Sequence, residues 1–266
     1  MRVGIIGYGK MGQVFSNLFQ KHGYNVIIYD TKLKHEKFKN FIKKSDYIMI
    51  SVSPNNLKRV INRLINISKL GYLDGKLIFD ISTFKDDIIH YYSKFSDKVM
   101  IGSIHPLFGP GIKDPSKHYI AIIPLKENDG SKILEDIFSN MGFKVFYVNY
   151  KTHDELISIT IGLSYIIGIS INKMLNSYDK KMIENLSGTT FKYLKNHYLS
   201  IYNDIPDFAN YILSNKRVKN TLKNYINVLK ELEKNKEDVL KELEKNKNDI
   251  EIRNAYNSLY DCIEKY

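Results

Sequence analysis

Short apolar runs alternate with amphipathic stretches over the first 150 residues, the pattern of βαβ units in a mainly parallel sheet. The runs predict strands at 2–6, 25–29, 47–51, 76–80, 99–103, 119–124 and 144–149. Helices are predicted between them at 10–22, 55–69, 84–94 and 130–141. The stretch 31–44 is short and charged, so at most a weak helix is expected there. From residue 151 onward period-two runs disappear and helical spacing dominates, with breaks near 177–180, 204–206 and Asn215. The fold class expected is therefore α/β: a doubly wound parallel sheet over 1–150, followed by an all-helical domain over 151–266.

Two segments of the helical half stand apart. Residues 156–172 carry no charge for seventeen positions, close to the lower limit for a membrane span. They include Ser158, Thr160, Ser164, Ser170 and two glycines, and Lys173 follows at once. A helix apolar on all sides belongs in a core or a subunit interface, and that reading is taken here. Later, the nine residues from Val228 recur from Val239, an eleven-residue spacing that keeps one helical face. We read it as a local duplication in one amphipathic helix whose charged faces are solvated.

The first strand runs into Gly7-Tyr-Gly-Lys-Met-Gly12, with Val14, Phe15, Leu18 and Phe19 at helical spacing beyond. This is a dinucleotide fingerprint in its expected setting. Gly7 permits the tight turn, Gly9 lets backbone approach a pyrophosphate, and Gly12 lets helix and strand pack closely. Lys10 and Met11 complete the turn. The helix N-terminus then presents unpaired N–H groups to phosphate. Asp30, eighteen residues after Gly12, ends the second strand where a carboxylate binds the ribose hydroxyls of NAD and repels the 2′-phosphate of NADP. Lys32 and Lys34 follow closely enough to tolerate that phosphate, which keeps NADP as the alternative cofactor.

Ligands bind a doubly wound sheet at the carboxyl ends of its strands. The third strand ends in Ser51, Val52, Ser53 and Pro54, small residues against which ribose and nicotinamide can lie. The fourth ends in Asp80-Ile-Ser-Thr-Phe-Lys85, offering the hydroxyls of Ser82 and Thr83 and the Lys85 ammonium. After the fifth comes Ser103-Ile-His-Pro-Leu-Phe-Gly-Pro110, which places His105 just beyond a strand in a loop stiffened by Pro106 and Pro110. An imidazole there can accept a proton or hydrogen bond from a substrate hydroxyl as hydride leaves the same carbon. Ser82 or Thr83 would orient the ring or the substrate.

Composition narrows the setting. With 43% hydrophobic and 26% charged residues the chain is an ordinary globular one. The net charge of +11 is spread along the whole length without a basic block, which argues against nucleic acid and for attraction of anionic cofactors and substrates. One cysteine, Cys262, precludes an internal disulfide and suits a reducing compartment. The first strand begins at residue 2 and leaves no room for a leader, so a cytoplasmic location is expected. No Cys/His/carboxylate cluster has metal spacing, and no metal is expected.

The three motifs together resemble those of prephenate dehydrogenases: the glycine turn, Asp80-x-x-Thr83-x-Lys85, and His105-Pro-Leu-Phe-Gly-Pro110. The similarity continues through His153-Asp154, Leu186-Ser187 and the region of Pro206. It implies NAD- or NADP-dependent oxidative decarboxylation of prephenate to 4-hydroxyphenylpyruvate in tyrosine biosynthesis. It also implies a Rossmann domain followed by a helical domain that builds a homodimer. On this resemblance His105 is the hydrogen-bond acceptor from the C4 hydroxyl, Thr83 takes the place of the family's active-site serine, and Lys85 matches the lysine of the same motif. Two positions depart from it. Tyr165 stands where the family uses a histidine near the substrate, and Ser200 stands where an arginine grips a substrate carboxylate. Lys192 and His197 are the candidate replacement cations. His153 and Asp154 read either as a cap or interdomain link or as part of the catalytic group. Arogenate as substrate, another hydroxy or imino acid dehydrogenase, and a nucleotide sensor without turnover are the alternatives.

Overall fold

A computed structural model describes residues 1–33, 37–125, 130–204, 206–246 and 250–263. Lys34 lies outside them, and so does Lys247, the end of the second repeat copy. The chain divides into two compact units, Met1–Ile157 and Ser158–Tyr266.

The first unit is built on seven strands: β1 (Arg2–Ile6), β2 (Asn25–Tyr29), β3 (Tyr47–Ile50), β4 (Leu77–Asp80), β5 (Met100–Pro106), β6 (Tyr119–Ile122) and β7 (Lys144–Tyr147). They form one sheet in the order β2-β1-β3-β4-β5-β6-β7. β1 to β5 are mutually parallel; β6 runs antiparallel to β5 and β7 parallel to β6. The strand order reverses between β1 and β3, which makes their carboxyl ends the topological switch point.

Among the described residues six α-helices accompany the sheet: α1 (Lys10–Lys21), α2 (Phe38–Lys44), α3 (Pro54–Ser68), α4 (Ile89–Tyr92), α5 (Gly130–Asn140) and α6 (Tyr150–Ile157). Two apolar layers follow from the side-chain alternation of buried strands. Ile48, Ile50, Ile78 and Ile101 pack with Phe41, Leu57, Ile61 and Leu64 of α2 and α3. Val3, Ile5, Phe79 and Ile104 pack with Phe15 and Phe19 of α1 and with Leu134 and Phe138 of α5. The sheet is thus covered on both faces, as the continuous apolar runs require.

Two expectations change here. The predicted helix 84–94 shrinks to the single turn of α4, and the backbone N–H groups of Lys85 and Asp86 ahead of it go to the carboxylate of Asp154. β5 extends to Pro106, so His105 sits inside the strand, paired opposite Ala121 of β6, rather than in a loop beyond it. The antiparallel partner β6 supplies the hydrogen bonds that prolong β5.

The second unit is helical: a π-helical stretch Ser158–Leu163, then α7 (Ser164–Leu175), α8 (Lys180–Asn185), α9 (Thr189–Ile201), α10 (Pro206–Ser214), α11 (Lys216–Lys234), α12 (Lys236–Asn246) and α13 (Ile250–Ile263). Small residues set its close crossings. A Cβ on Gly168 of α7 would lie 2.8 Å from Ile201 of α9, and one on Gly162 would lie 2.7 Å from Val218 of α11. The helical stretch Tyr150–Leu175 is long and apolar enough to cross a membrane by length and composition alone. Its burial is mixed: Ile157, Ser158, Tyr165 and Ile166 are buried, while Leu156 and Ile159 are half exposed. The eleven-residue repeat does not lie in one helix. Asn235, at φ −119° and ψ 65°, separates α11 from α12 inside the first copy, whose residues up to Lys234 lie on α11, while the described residues of the second lie on α12.

Candidate active site

At the switch point the turn after β1 is shaped for a phosphate. Gly7 adopts φ +97°, and a Cβ there would come within 2.4 Å of the Ser51 carbonyl oxygen. A Cβ on Gly12 would lie 2.3 Å from the Gly7 oxygen, so α1 and β1 pack through these two positions. Gly9, the N-cap of α1, has open space where its Cβ would be, no side chain caps the helix, and its first turn holds no acidic residue. An uncapped N-terminus beside an open glycine fits a dinucleotide pyrophosphate. Lys10 is exposed and Met11 half-buried in that first turn.

The carboxylate of Asp30 closes the same end of the sheet, accepting the Tyr8 N–H at 2.7 Å and the Lys32 N–H at 2.8 Å. It therefore fixes the glycine turn. Ser51, Val52 and Ser53 form the β3–α3 turn, half-buried, with Pro54 opening α3. Ser53 Oγ accepts from Asn56 Nδ2 at 2.9 Å.

The second half of the site is a buried charged cluster at the ends of β4 and β5. Asp80 is fully buried and accepts from Lys85 Nζ at 2.9 Å, from the Ser82 N–H at 2.8 Å, from the Ser82 hydroxyl, and from the Tyr92 hydroxyl at 2.7 Å. Burial alone would raise its pKa, but the Lys85 charge and these hydrogen bonds hold it below the usual carboxylate range. Burial lowers the pKa of Lys85, opposed by Asp80, and burial beside Asp80 raises that of Tyr92 well above the ordinary phenol. The remaining Lys85 donors go to the Ile104 carbonyl at 2.9 Å and Ser82 Oγ at 3.2 Å.

Lys85 and Ser82 are thereby put to a different use from the one expected. With no exposed surface and its Nζ bonded to Asp80, Ser82 and Ile104, Lys85 organises the strand ends and does not reach out to a substrate carboxylate. Ser82 is tied to Asp80 in the same way. Thr83 Oγ1 makes no hydrogen bond among the described residues, which leaves it as the hydroxyl available at this strand end.

His105 is 5% exposed. Its Nδ1 lies 3.0 Å from Nε2 of His153, and the two rings meet edge to face with centroids 5.0 Å apart. His153 Nδ1 in turn lies 2.7 Å from Asp154 Oδ1. Asp154 accepts the Lys85 N–H at 3.0 and 2.8 Å and the Asp86 N–H at 2.8 Å. Burial, then the positive charge of Lys85, then His153, lower the pKa of His105 well below 6.5, so its neutral form is favoured. His153 and Asp154, which the sequence presented first as a cap or interdomain link, belong to the first unit and join this cluster. The signal that would have found them is their place one turn into the helix after the last strand, where side chains reach back over neighbouring strand ends.

Of the residues expected near substrate in the second unit, Tyr165 is buried and donates its hydroxyl to Asp204, and burial followed by that carboxylate raises its pKa. Half-buried His197 lies 3.3 Å from the Ser164 carbonyl oxygen through Nε2. Ser200 donates to the His197 carbonyl at 2.7 Å. Lys192 is exposed on α9. Ser200 is thus engaged with its own helix, and Lys192 is the exposed cation of the group.

Comparison with known proteins agrees with this geometry. Residues 2–87 match a family model described as the NAD binding domain of 6-phosphogluconate dehydrogenase. A prephenate dehydrogenase (NADP+) of Saccharomyces cerevisiae is 25% identical over 186 residues, 64% of this chain and 40% of the relative. The chain spans about two fifths of the length of the curated relatives it matches. Among solved structures, prephenate dehydrogenase from Aquifex aeolicus in complex with hydroxyphenyl propionate and NAD+ superposes with a TM-score of 0.70 at 16% identity, covering 96% of this chain and 98% of that one. The arogenate dehydrogenase of Synechocystis gives 0.67 at 14% identity, covering both chains completely. At these identities the two structures share the fold with this chain.

Proposed function

We propose, from the premise that this chain is a member of the prephenate dehydrogenase family, that it oxidises and decarboxylates prephenate to 4-hydroxyphenylpyruvate with NAD(P). The observation that carries the reading is His105: a buried imidazole whose Nδ1 is occupied by His153 and whose Nε2 has no partner among the described residues. It stands at the carboxyl end of a sheet whose switch point is shaped for a dinucleotide.

Gly7, Gly9, Lys10, Met11 and Gly12 would hold the pyrophosphate, Asp30 the adenosine ribose, and Ser51, Val52, Ser53 and Pro54 the nicotinamide half. The chemistry a bound nicotinamide supplies is acceptance of a hydride. His105 Nε2 takes the hydrogen bond, then the proton, of the C4 hydroxyl as that carbon becomes a carbonyl. Thr83 offers the second hydroxyl contact. Loss of carbon dioxide from C1 sends its bonding electrons into the ring, and His105 returns the proton to the resulting phenolate oxygen. The low pKa of His105 keeps it unprotonated before each turnover and makes it a ready donor afterwards.

The cofactor reading is NAD on the strength of Asp30, with NADP as the alternative. Arogenate differs from prephenate away from C4, so His105 serves either substrate. Supplying the purified chain with NAD+ and prephenate, then arogenate, tests the proposal. Reduced cofactor should form with at least one of them; tight NAD+ binding without turnover on either would favour the nucleotide-sensor reading instead.

We also infer a homodimer through the helical unit. Leu222, Ile226 and Leu229 recur along one face of α11 and are 37%, 40% and 45% exposed, with Leu240 and Leu243 of α12 more open still. A second copy of the same chain would cover this apolar seam.

A further inference from the structure

The hydrogen-bond chain behind His105 has a direction, and the direction follows from counting donors. Asp154 is fully buried, and both of its oxygens already accept backbone N–H groups, from Lys85 on both and from Asp86 on Oδ2. An ionised carboxylate only accepts, so the hydrogen shared at 2.7 Å belongs to His153 Nδ1. A neutral imidazole that donates at Nδ1 accepts at Nε2. The 3.0 Å contact with His105 therefore needs a hydrogen on His105 Nδ1. That leaves the lone pair of His105 on Nε2, the nitrogen without a partner among the described residues.

We propose that His153 and Asp154 are positioning residues that hold His105 in its Nδ1–H tautomer and give the proton it receives a second resting place beside a carboxylate. The step balances without an outside reagent. The substrate O–H bond breaks and an Nε2–H bond forms on His105; the Nδ1–H of His105 then passes to Nε2 of His153. The positive charge ends on a ring paired with Asp154 rather than on a ring crowded by Lys85. The reverse shift returns the proton to the phenolate oxygen. Asp154 acts here as a fixed acceptor, like the carboxylate that orients the imidazole in a Ser-His-Asp triad.

The kinetic arm rests on the function proposed above; the spectroscopic arm does not. The full chain with 15N-labelled histidine and bound NAD+ gives two-bond 1H–15N correlations that distinguish ring tautomers, assigned by the peaks lost in His105→Asn and His153→Gln. Both His105 and His153 should show the Nδ1–H pattern at neutral pH, and an Nε2–H pattern at His105 overturns the proposal. In turnover, His153→Gln keeps an acceptor for His105 but cannot carry the proton, so kcat should fall about 10-fold or more with KM within about 3-fold. Asp154→Asn, which presents an N–H to His153 and reverses the chain, should cost about 100-fold or more. Unchanged kcat in His153→Gln overturns the relay even if Asp154→Asn does not fold. An Nδ1–H tautomer in a chain that turns over neither prephenate nor arogenate would sink the proposed function and leave the hydrogen-bond direction standing.

Discussion

Single side chains decide which groups of this site face a ligand and which face the protein. Lys85 is the clearest case. From sequence it is a cation in a promising motif; in the fold it has no exposed surface and neutralises Asp80 at 2.9 Å. A buried pair depends on both members, and removing one leaves an uncompensated charge. Lys85→Met should destabilise the protein by about 3–5 kcal/mol in denaturant unfolding. Adding Asp80→Asn should recover part of that loss, and full stability in the single variant would mean the pair is not structural. Asp30 is read differently, because its carboxylate holds the turn and is the proposed ribose contact as well. Asp30→Ala should weaken NAD+ binding and narrow the preference over NADP+ by about 10-fold, measured as the ratio of the two kcat/KM values. An unaltered ratio would take Asp30 out of cofactor selection.

At the scale of elements, the glycine turn and its helix were legible because their physics is local. Strand, turn, uncapped helix and carboxylate lie within thirty residues of chain. Six of the seven predicted strands lie within about two residues of the observed ends, since buried parallel strands are written as continuous apolar runs. What failed was set by distant partners. β5 ran on through His105 because an antiparallel neighbour completed its ladder. The repeat at 228 and 239 kept its period but not its continuity, because Asn235, near the end of the first copy, leaves helical geometry. The turn itself yields a separating prediction. Gly9→Ala meets nothing within 4 Å, so thermal unfolding should be unchanged while affinity for NAD+ falls. Gly7→Ala, strained at φ +97° and pressed on the Ser51 carbonyl, should cost about 1–3 kcal/mol of stability as well. Equal NAD+ affinity in wild type and Gly9→Ala would argue that no phosphate approaches this backbone.

For the whole molecule, the resemblance read from three short motifs is borne out by relatives and solved structures that cover most of the chain. The proposed base His105, the glycine turn and the hydroxyls of Ser82 and Thr83 all come from strand ends of the first unit, where periodicity locates them. His153 and Asp154 were harder to place, because a histidine and an aspartate at a helix start carry no periodic signal and their partners are fixed only by tertiary structure. Assembly belongs to this scale too. Light scattering on the eluted protein should report twice the chain mass of 31.0 kDa, and replacing Leu222 and Ile226 by Lys should shift it to the monomer. A wild-type chain that remains monomeric at working concentration would remove the second copy.

The most direct measurement is the pH dependence of kcat with prephenate for the wild-type chain and for His105→Asn. His105 binds a proton more weakly in the fold than a free imidazole does, so the base stays competent as pH falls through about 6.5, and activity is lost only at lower pH. Wild type should therefore show an acid limb below that value. His105→Asn should lose about 100-fold or more in kcat, and the limb with it. Undiminished turnover in His105→Asn would contradict the account at its centre.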